Sequence, residues 1–468
     1  MLTQPYPFEK LIEILRCPVC RRPLEFQAID QALPHAREYG VLNCGCRRYP
    51  VLDGVCVLMT GTVGAFEHTL GNVEYKGPSV EELSALVTAR RGLDALLRCI
   101  AFPMRFKLLD RMRPRRLWRS KIVQGLTAGI RRKQVRRWCV AKRESLAAED
   151  WFDLFFRQHS PVHEEMFSYF FYRFAQPRHL ATLTLTGLLP SSEKPVVDLA
   201  CGFGHLEHNL AESSAHHDVI GVDRNFFQLW AAQYWIAPKS RFICADADQA
   251  LPFANASFSA TLCSDAFHYF RRKELTINEI ARCAPGRPIL FTRVGNRLVE
   301  PPEGLELSPK EYIEACGGEG NWRIFGETEL LERYLRQEPV DVARSRSAEA
   351  LDGEKWLSLV YPGVPPVLAP AESSRWPHAD GRLGFNPIYE ISRSGEDSWR
   401  LKFKFPTRHY AFENAQMSSF CPAKVTISDS TYRDVERNVL SPEVERLVQQ
   451  MVVVGLPHRY LRSSGTWN

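Results

Sequence analysis

An acid followed closely by two glycines, Asp198-Leu-Ala-Cys-Gly202-Phe-Gly204, stands at the end of the apolar run Val196-Val197. Glycines let the main chain take positive φ and let a ligand approach it with no side chain between. The chemistry on offer is recognition of a polar cofactor by carboxylates. A second apolar run, Val219-Ile220-Gly221-Val222, ends in Asp223 about twenty residues on. An acid at that spacing is where nucleotide-binding folds hold ribose hydroxyls. A dinucleotide loop would continue as Gly-x-Gly-x-x-Gly to set a helix start on a pyrophosphate. Here position 207 is Glu207, which a pyrophosphate would repel.

Such residues need a scaffold that brings strand ends together. Strand signals at 195–200, 218–222, 241–244, 260–264 and 288–293 alternate with helical stretches, a doubly wound α/β pattern. Glu327–Leu335 reads as a late helix, and Val340–Arg344 and Trp356–Val360 read as closing strands. Further motifs follow in order: Cys244-Ala-Asp246-Ala247 with Leu251-Pro-Phe253, then Cys263-Ser264-Asp265-Ala-Phe-His268, then the turn Ala284-Pro-Gly286. Over about 195–295 this ordered set resembles the class I S-adenosylmethionine-dependent methyltransferases.

The resemblance implies a Rossmann-like seven-stranded sheet and S-adenosylmethionine as cofactor. It assigns Asp198, Ala200, Cys201, Gly202 and Gly204 to the methionine part and Asp223, with Arg224 beside it, to the ribose. Asp246 and Ala247 would flank the adenine, and Ser264 and Asp265 would meet both cofactor and acceptor. An oxygen acceptor needs a base. His268, just past the fourth strand, is the candidate, with a capping or packing role equally open. Tyr169, Tyr172, His159 and His163 carry polar tips near the aromatic stretch Trp151–Phe174 and are candidates to orient an acceptor. The fourth motif lacks the Pro-Pro that grips amino groups of adenine or glutamine, which points away from those acceptors. Ser259 and Arg287 depart from the family pattern, so a cofactor-binding copy without turnover stays open.

The first sixty residues hold too little apolar mass for a core of their own. Cys17-Pro-Val-Cys20 and Cys44-Gly-Cys46 offer four thiolates, a set suited to structural Zn²⁺. With Tyr49-Pro-Val-Leu-Asp-Gly-Val55, this segment resembles the zinc-ribbon domain of the tRNA-methyltransferase activator family. The second pair is Cys-x-Cys, not Cys-x-x-Cys, which leaves Cys56 and His35 as alternative ligands.

The net charge of +6 is local in origin. Residues 104–143 hold fifteen Lys or Arg and a single acid, Asp110. Within 115–138, Trp118, Ile122, Leu126 and Ile130 recur at four-residue steps, an amphipathic cationic helix. Three readings are open: an anionic membrane surface, RNA phosphates, or a solvated face paired with the acidic remainder. Ser79 heads a further helix with Leu83 and Leu86 at helical spacing. No run is long and apolar enough to span a bilayer, and the first fifteen residues do not read as a signal peptide. Thirteen cysteines without an export signal point to a reducing cytoplasm.

Beyond Tyr361-Pro-Gly the chain turns loop-like, then alternates through Ile388–Ile391 and Trp399–Phe405 as a hairpin; Ser441 opens a helix expected to reach Val452. The expected layout is a ribbon at 1–62, a basic helical connector at 79–149, a methyltransferase domain at 150–362 and an α+β extension at 363–468. The expected activity is methyl transfer to a small-molecule, glycan or lipid-linked acceptor in the cytoplasm, at or near the inner face of the membrane. RNA base methylation is the alternative.

Overall fold

The computed structural model describes residues 5–30, 37–64, 77–101, 120–137, 145–157, 169–213, 217–299, 304–318, 321–344, 346–361, 367–368 and 381–461. The N-terminal segment contributes β1 (Glu25–Ala28), β2 (Gly40–Asn43), β3 (Arg48–Leu52) and β4 (Val55–Val57), an antiparallel meander. Five apolar runs form parallel strands: β5 (Val196–Leu199), β6 (Val219–Asp223), β7 (Arg241–Cys244), β8 (Ala260–Ser264) and β9 (Ile289–Gly295). They are buried almost throughout, as strands covered on both faces must be. Strands β10 (Arg323–Gly326) and β12 (Trp356–Tyr361) complete the far side, β12 running antiparallel to both β9 and β10.

All of these join one sheet in the order β1-β2-β3-β4-β7-β6-β5-β8-β9-β12-β10. The sheet has eleven strands, the four N-terminal ones being added to the seven strands β7, β6, β5, β8, β9, β12 and β10. The reason is the open edge of β7. An unpaired edge strand is a liability, and β4 covers it in parallel, with Cys56 opposite Ile243. Side chains reinforce the seam. Arg21 pairs with Glu279 at 2.7 Å, Arg241 with Glu38 at 3.1 Å, and buried Asp53 accepts from the Trp230 indole at 3.1 Å.

The expected closing strand at 340–344 is corrected. Only β11 (Val340–Asp341) forms there, and it pairs with β13 (Val367–Leu368) outside the main sheet. Ala343 and Arg344 are exposed, whereas Ile324 and Phe325 of β10 are buried, so the more apolar run takes the place in the sheet. The late helix forms over Glu327–Arg336.

In the C-terminal part, β14 (Gly381–Phe385) pairs with β18 (Val453–Pro457). The expected hairpin forms as β15 (Tyr389–Arg393) and β16 (Ser398–Phe403), and β17 (Lys424–Ser428) adds a third strand. Ser441 is the N-cap of the last helix, but that helix ends at Gln449. The β-branched run from Val452 leaves it for β18. Just beyond, Tyr460 returns to the aromatic stretch, stacks on Phe170 at 5.2 Å and donates its hydroxyl to the Phe170 carbonyl. The extension is thus fastened to the elements that hold the glycine loop.

Candidate active site

The glycine loop leaves β5 through three left-handed residues, Ala200 (φ 57°), Gly202 (φ 59°) and Gly204 (φ 75°). A Cβ on Gly202 would lie 2.8 Å from the Tyr169 hydroxyl, so Tyr169 closes over the loop. Phe203, between the glycines, is gripped from beneath by Trp151 at 5.9 Å and Phe170 at 5.0 Å. Aromatic packing thereby holds a loop whose own residues resist order.

Three buried acids converge here. Asp223, at the end of β6, accepts from the Gly202 amide at 3.1 Å and the Asn225 amide at 2.7 Å. Burial raises its carboxyl against the pull of those two amides. Asp198 Oδ1 is buried with no hydrogen-bond partner. Burial, then the nearby Asp223, push the Asp198 carboxyl up to about 7, against Arg173. Glu207 is fully buried, and burial followed by Asp198 holds it well above the carboxylate range. A Cβ on Gly221 would lie 2.6 Å from Glu207 Oε1 and 2.8 Å from Cys201 Sγ, so the glycine of β6 makes room for both. Glu207 therefore sits behind the loop as a neutral acid and does not face a ligand as a charge. The loop still lacks the third glycine of a dinucleotide fold.

The next strand ends supply the other side. Asp246 caps the turn after β7 by accepting from the Asp248 amide at 3.0 Å and the Gln249 side chain at 2.8 Å, and Ala247 is buried beside it. Arg224 is exposed, and its carbonyl accepts from the Cys244 thiol. Ser264 Oγ lies 3.3 Å from Thr182 Oγ1. Asp265 (φ 61°) is ringed by guanidinium groups: Arg178 at 2.9 Å, Arg173 at 3.0 Å and Arg293 at 3.2 Å. Burial alone would raise its carboxyl, but Arg178, Arg293 and Arg173 outweigh that and hold it far below the usual range. Arg293 also bonds both oxygens of Glu327 at 2.9 Å and lies 3.9 Å over the Trp356 ring.

His268 is buried beside this cluster, 4.0 Å from the Tyr269 ring, and its Nδ1 has no hydrogen-bond partner. Burial lowers its affinity for a proton, opposed by Asp265 and Glu306, so the ring is neutral at ordinary pH. Tyr172 is not brought to the loop. It packs 5.1 Å from Tyr410, in a core shared with the C-terminal strands, because it follows Tyr169 by three residues across a helix end. His159 and His163 lie outside the described residues.

Arg173, Arg178, Arg293 and Glu327 are the members that sequence reasoning missed. A signal existed: Arg173 and Arg178 interrupt an aromatic, apolar stretch, and Arg293 sits within a buried strand.

At the N-terminus the sulfur atoms of Cys17, Cys20, Cys44 and Cys46 lie within 4.8 Å of one another. Cys17 and Cys46 are 3.7 Å apart and Cys44 and Cys46 3.1 Å, around the ~3.8 Å between tetrahedral sulfur atoms at ~2.3 Å from zinc. The donor set fits that ion. Among the described residues Cys56, in β4, is not one of the clustered sulfurs, and His35 lies outside the described residues.

Residues 196–285 match the family described as a methyltransferase domain. The chain is accordingly an S-adenosylmethionine-dependent methyltransferase. No curated protein matches it. Among solved structures, it is similar to geranyl diphosphate C-methyltransferase from Streptomyces coelicolor A3(2), at 15% identity, with 39% of this chain and 78% of that chain covered and a TM-score of 0.30. The YcgJ protein of Bacillus subtilis is similar at 20% identity, covering 39% of this chain and 96% of that one, TM-score 0.26. A chain from the complex of the Haloferax volcanii Trm112 methyltransferase activator with a methyltransferase shares 18% identity, covering 47% and 95%, TM-score 0.31.

Proposed function

We propose that the enzyme methylates a small polar or lipid-linked acceptor bound at the Asp265 end of the sheet. The observation that carries this reading is the buried cluster of charge at the end of β8, where Arg173, Arg178 and Arg293 surround Asp265 and His268 lies beside them. Buried charge of that kind suits a compact polar group. The test is transfer of radiolabelled methyl from S-adenosylmethionine into a cell lysate, then separation of RNA, protein and organic-extractable fractions. Label in the organic or small-molecule fraction is expected; label in RNA overturns the acceptor class.

The residues present fit the cofactor. Asp198 Oδ1 needs a donor, and the cofactor's ammonium is one. Asp223 suits the ribose hydroxyls, and the turn of Asp246 and Ala247 would border the adenine. Ala200, Cys201, Gly202 and Gly204 leave main chain open to the methionine part, with Tyr169 above. Ser264 and Asp265 would meet both cofactor and acceptor, and Arg224 follows the acid that would hold the ribose. When bound, the cofactor supplies a sulfonium methyl already activated for displacement. The protein's part is to align the acceptor and exclude water.

Asp198 makes cofactor binding pH-dependent. A cation beside it favours the ionised form, so below about pH 7 a proton must leave first. Affinity should rise by up to about tenfold per pH unit toward pH 7 and level off above it. Calorimetry in buffers of different ionisation enthalpy would detect the released proton. A flat profile with wild-type protein contradicts the assignment; a flat profile with Asp198→Asn alone supports it.

His268, neutral and with Nδ1 unengaged, would take the proton of a hydroxyl acceptor. His268→Ala is expected to lower kcat by ~10²–10⁴ while leaving cofactor affinity unchanged. Unchanged turnover would remove it from the mechanism.

The four cysteines would hold structural Zn²⁺ in a ribbon-like segment, with no open position for catalysis. We place the enzyme in a reducing cytoplasm, peripheral to the inner face of the membrane, in keeping with the free cysteines throughout the described residues.

A further inference from the structure

The helix Lys121–Val135 is attached to the protein by the side opposite to the one its apolar spacing suggests. Thr127, Ala128, Arg131 and Val135 are buried, and the Arg131 guanidinium lies 4.5 Å over the Phe155 ring. Ile122, Leu126 and Ile130 face solvent instead, at 75%, 65% and 49% exposure. At about 100° per residue these three lie within about 80° of one another, on a single face of the helix. The exposed Lys133 continues it, and the exposed Arg136 and Arg137 flank its end. No acid occurs between 120 and 137.

We propose that this face docks the enzyme on an anionic lipid surface, the aliphatic stripe entering the headgroup boundary and the cations meeting acidic headgroups. The proposal deepens the peripheral location given above by assigning the surface responsible. Each half of the pattern alone has another explanation. A nucleic acid would account for the cations but gains nothing from three protruding aliphatic side chains. A second apolar protein face would cover the stripe but would leave Lys133, Arg136 and Arg137 without counter-charge. An interface of apolar acyl boundary and negative headgroups satisfies both at once. Gly125 and Gly129, beside the stripe, add no bulk that would keep it from the lipid.

The experiment is vesicle flotation of the full-length protein, with phosphatidylcholine alone and with phosphatidylcholine mixed with phosphatidylglycerol. Binding is expected only to the mixed vesicles and should be lost in high salt. Replacing Lys133, Arg136 and Arg137 by Gln should weaken it on the order of a hundredfold, about fivefold per cation. The triple variant Ile122→Ser, Leu126→Ser, Ile130→Ser should likewise float poorly. Both variants should keep wild-type cofactor affinity, because none of these residues touches the cradle. Wild-type protein that ignores acidic vesicles overturns the location and the surface together. Wild-type binding that both variants retain overturns the surface and leaves the location standing. Loss of self-association in the serine variant, with no vesicle binding by wild type, would assign the stripe to a second copy and overturn the proposal.

Discussion

Asp223→Ala is expected to weaken binding of S-adenosylhomocysteine on the order of a hundredfold or more, measured by calorimetry. Two effects add. Hydrogen bonds to a charged carboxylate contribute ~1.5–3 kcal/mol each, and two ribose hydroxyls would lose theirs. The same carboxylate also ties the Gly202 amide to the end of β6, so the loop itself loosens. Asp223→Asn keeps one acceptor and should lose less. The partner experiment uses Arg173→Ala. The cofactor's amino-acid end carries a carboxylate, and the acids Asp198, Asp223 and Glu207 offer it nothing. Arg173 is the cation whose charge reaches both Asp198 and Asp265. Its loss should cost on the order of tenfold or more in affinity, with partial rescue by Arg173→Lys. A change below tenfold for Asp223→Ala would remove Asp223 from the ribose site.

The second large effect concerns the cysteine cluster. Cys44→Ser with Cys46→Ser is expected to abolish zinc content and lower Tm on the order of 10 °C. Structural zinc contributes ~10 kcal/mol or more in small ribbons and fingers, comparable to the whole stability of an ordinary domain. The consequence reaches past the cluster because β4 is hydrogen-bonded to β7, and Arg21 and Asp53 bind residues of the catalytic domain. Melting the segment would bare the β7 edge and the buried Leu11, Leu15 and Tyr49. Aggregation and lost activity should follow, although the cysteines lie outside the cofactor cradle. Elemental analysis with a thermal scan decides it: a metal-free protein with wild-type Tm would make the cluster incidental.

The glycine loop and the acids beside it were legible in the linear chain because their signals are local. The acid at the end of β5, the glycines after it and the acid at the end of β6 each follow from a strand running into a turn. The hairpin at 389–403 and the Ser79 cap were readable for the same reason: alternation and a capping hydroxyl act within a few residues. The charge cluster around Asp265 was not legible. Arg173, Arg178 and Arg293 come from a helix, its approach and a distant strand, and only folding makes them meet at Asp265. Glu207 shows the limit from the other direction. Its type suggested a repelling charge, but burial under Gly221 leaves it neutral.

The sequence by itself determined the class of sheet, the glycine loop with the acids around it and the four-sulfur set, since each depends on residue type at short spacing. Tertiary structure alone decided three matters. It joined the N-terminal strands to the β7 edge, a pairing between backbones that leaves no mark on side-chain pattern. It sent Tyr172 to the C-terminal core while keeping Tyr169 over Gly202, a choice set by where a helix ends and not by aromatic character. It also turned Ile122, Leu126 and Ile130 outward. Helical periodicity groups side chains on one face, but which face meets the protein depends on what the rest of the chain offers to pack against it.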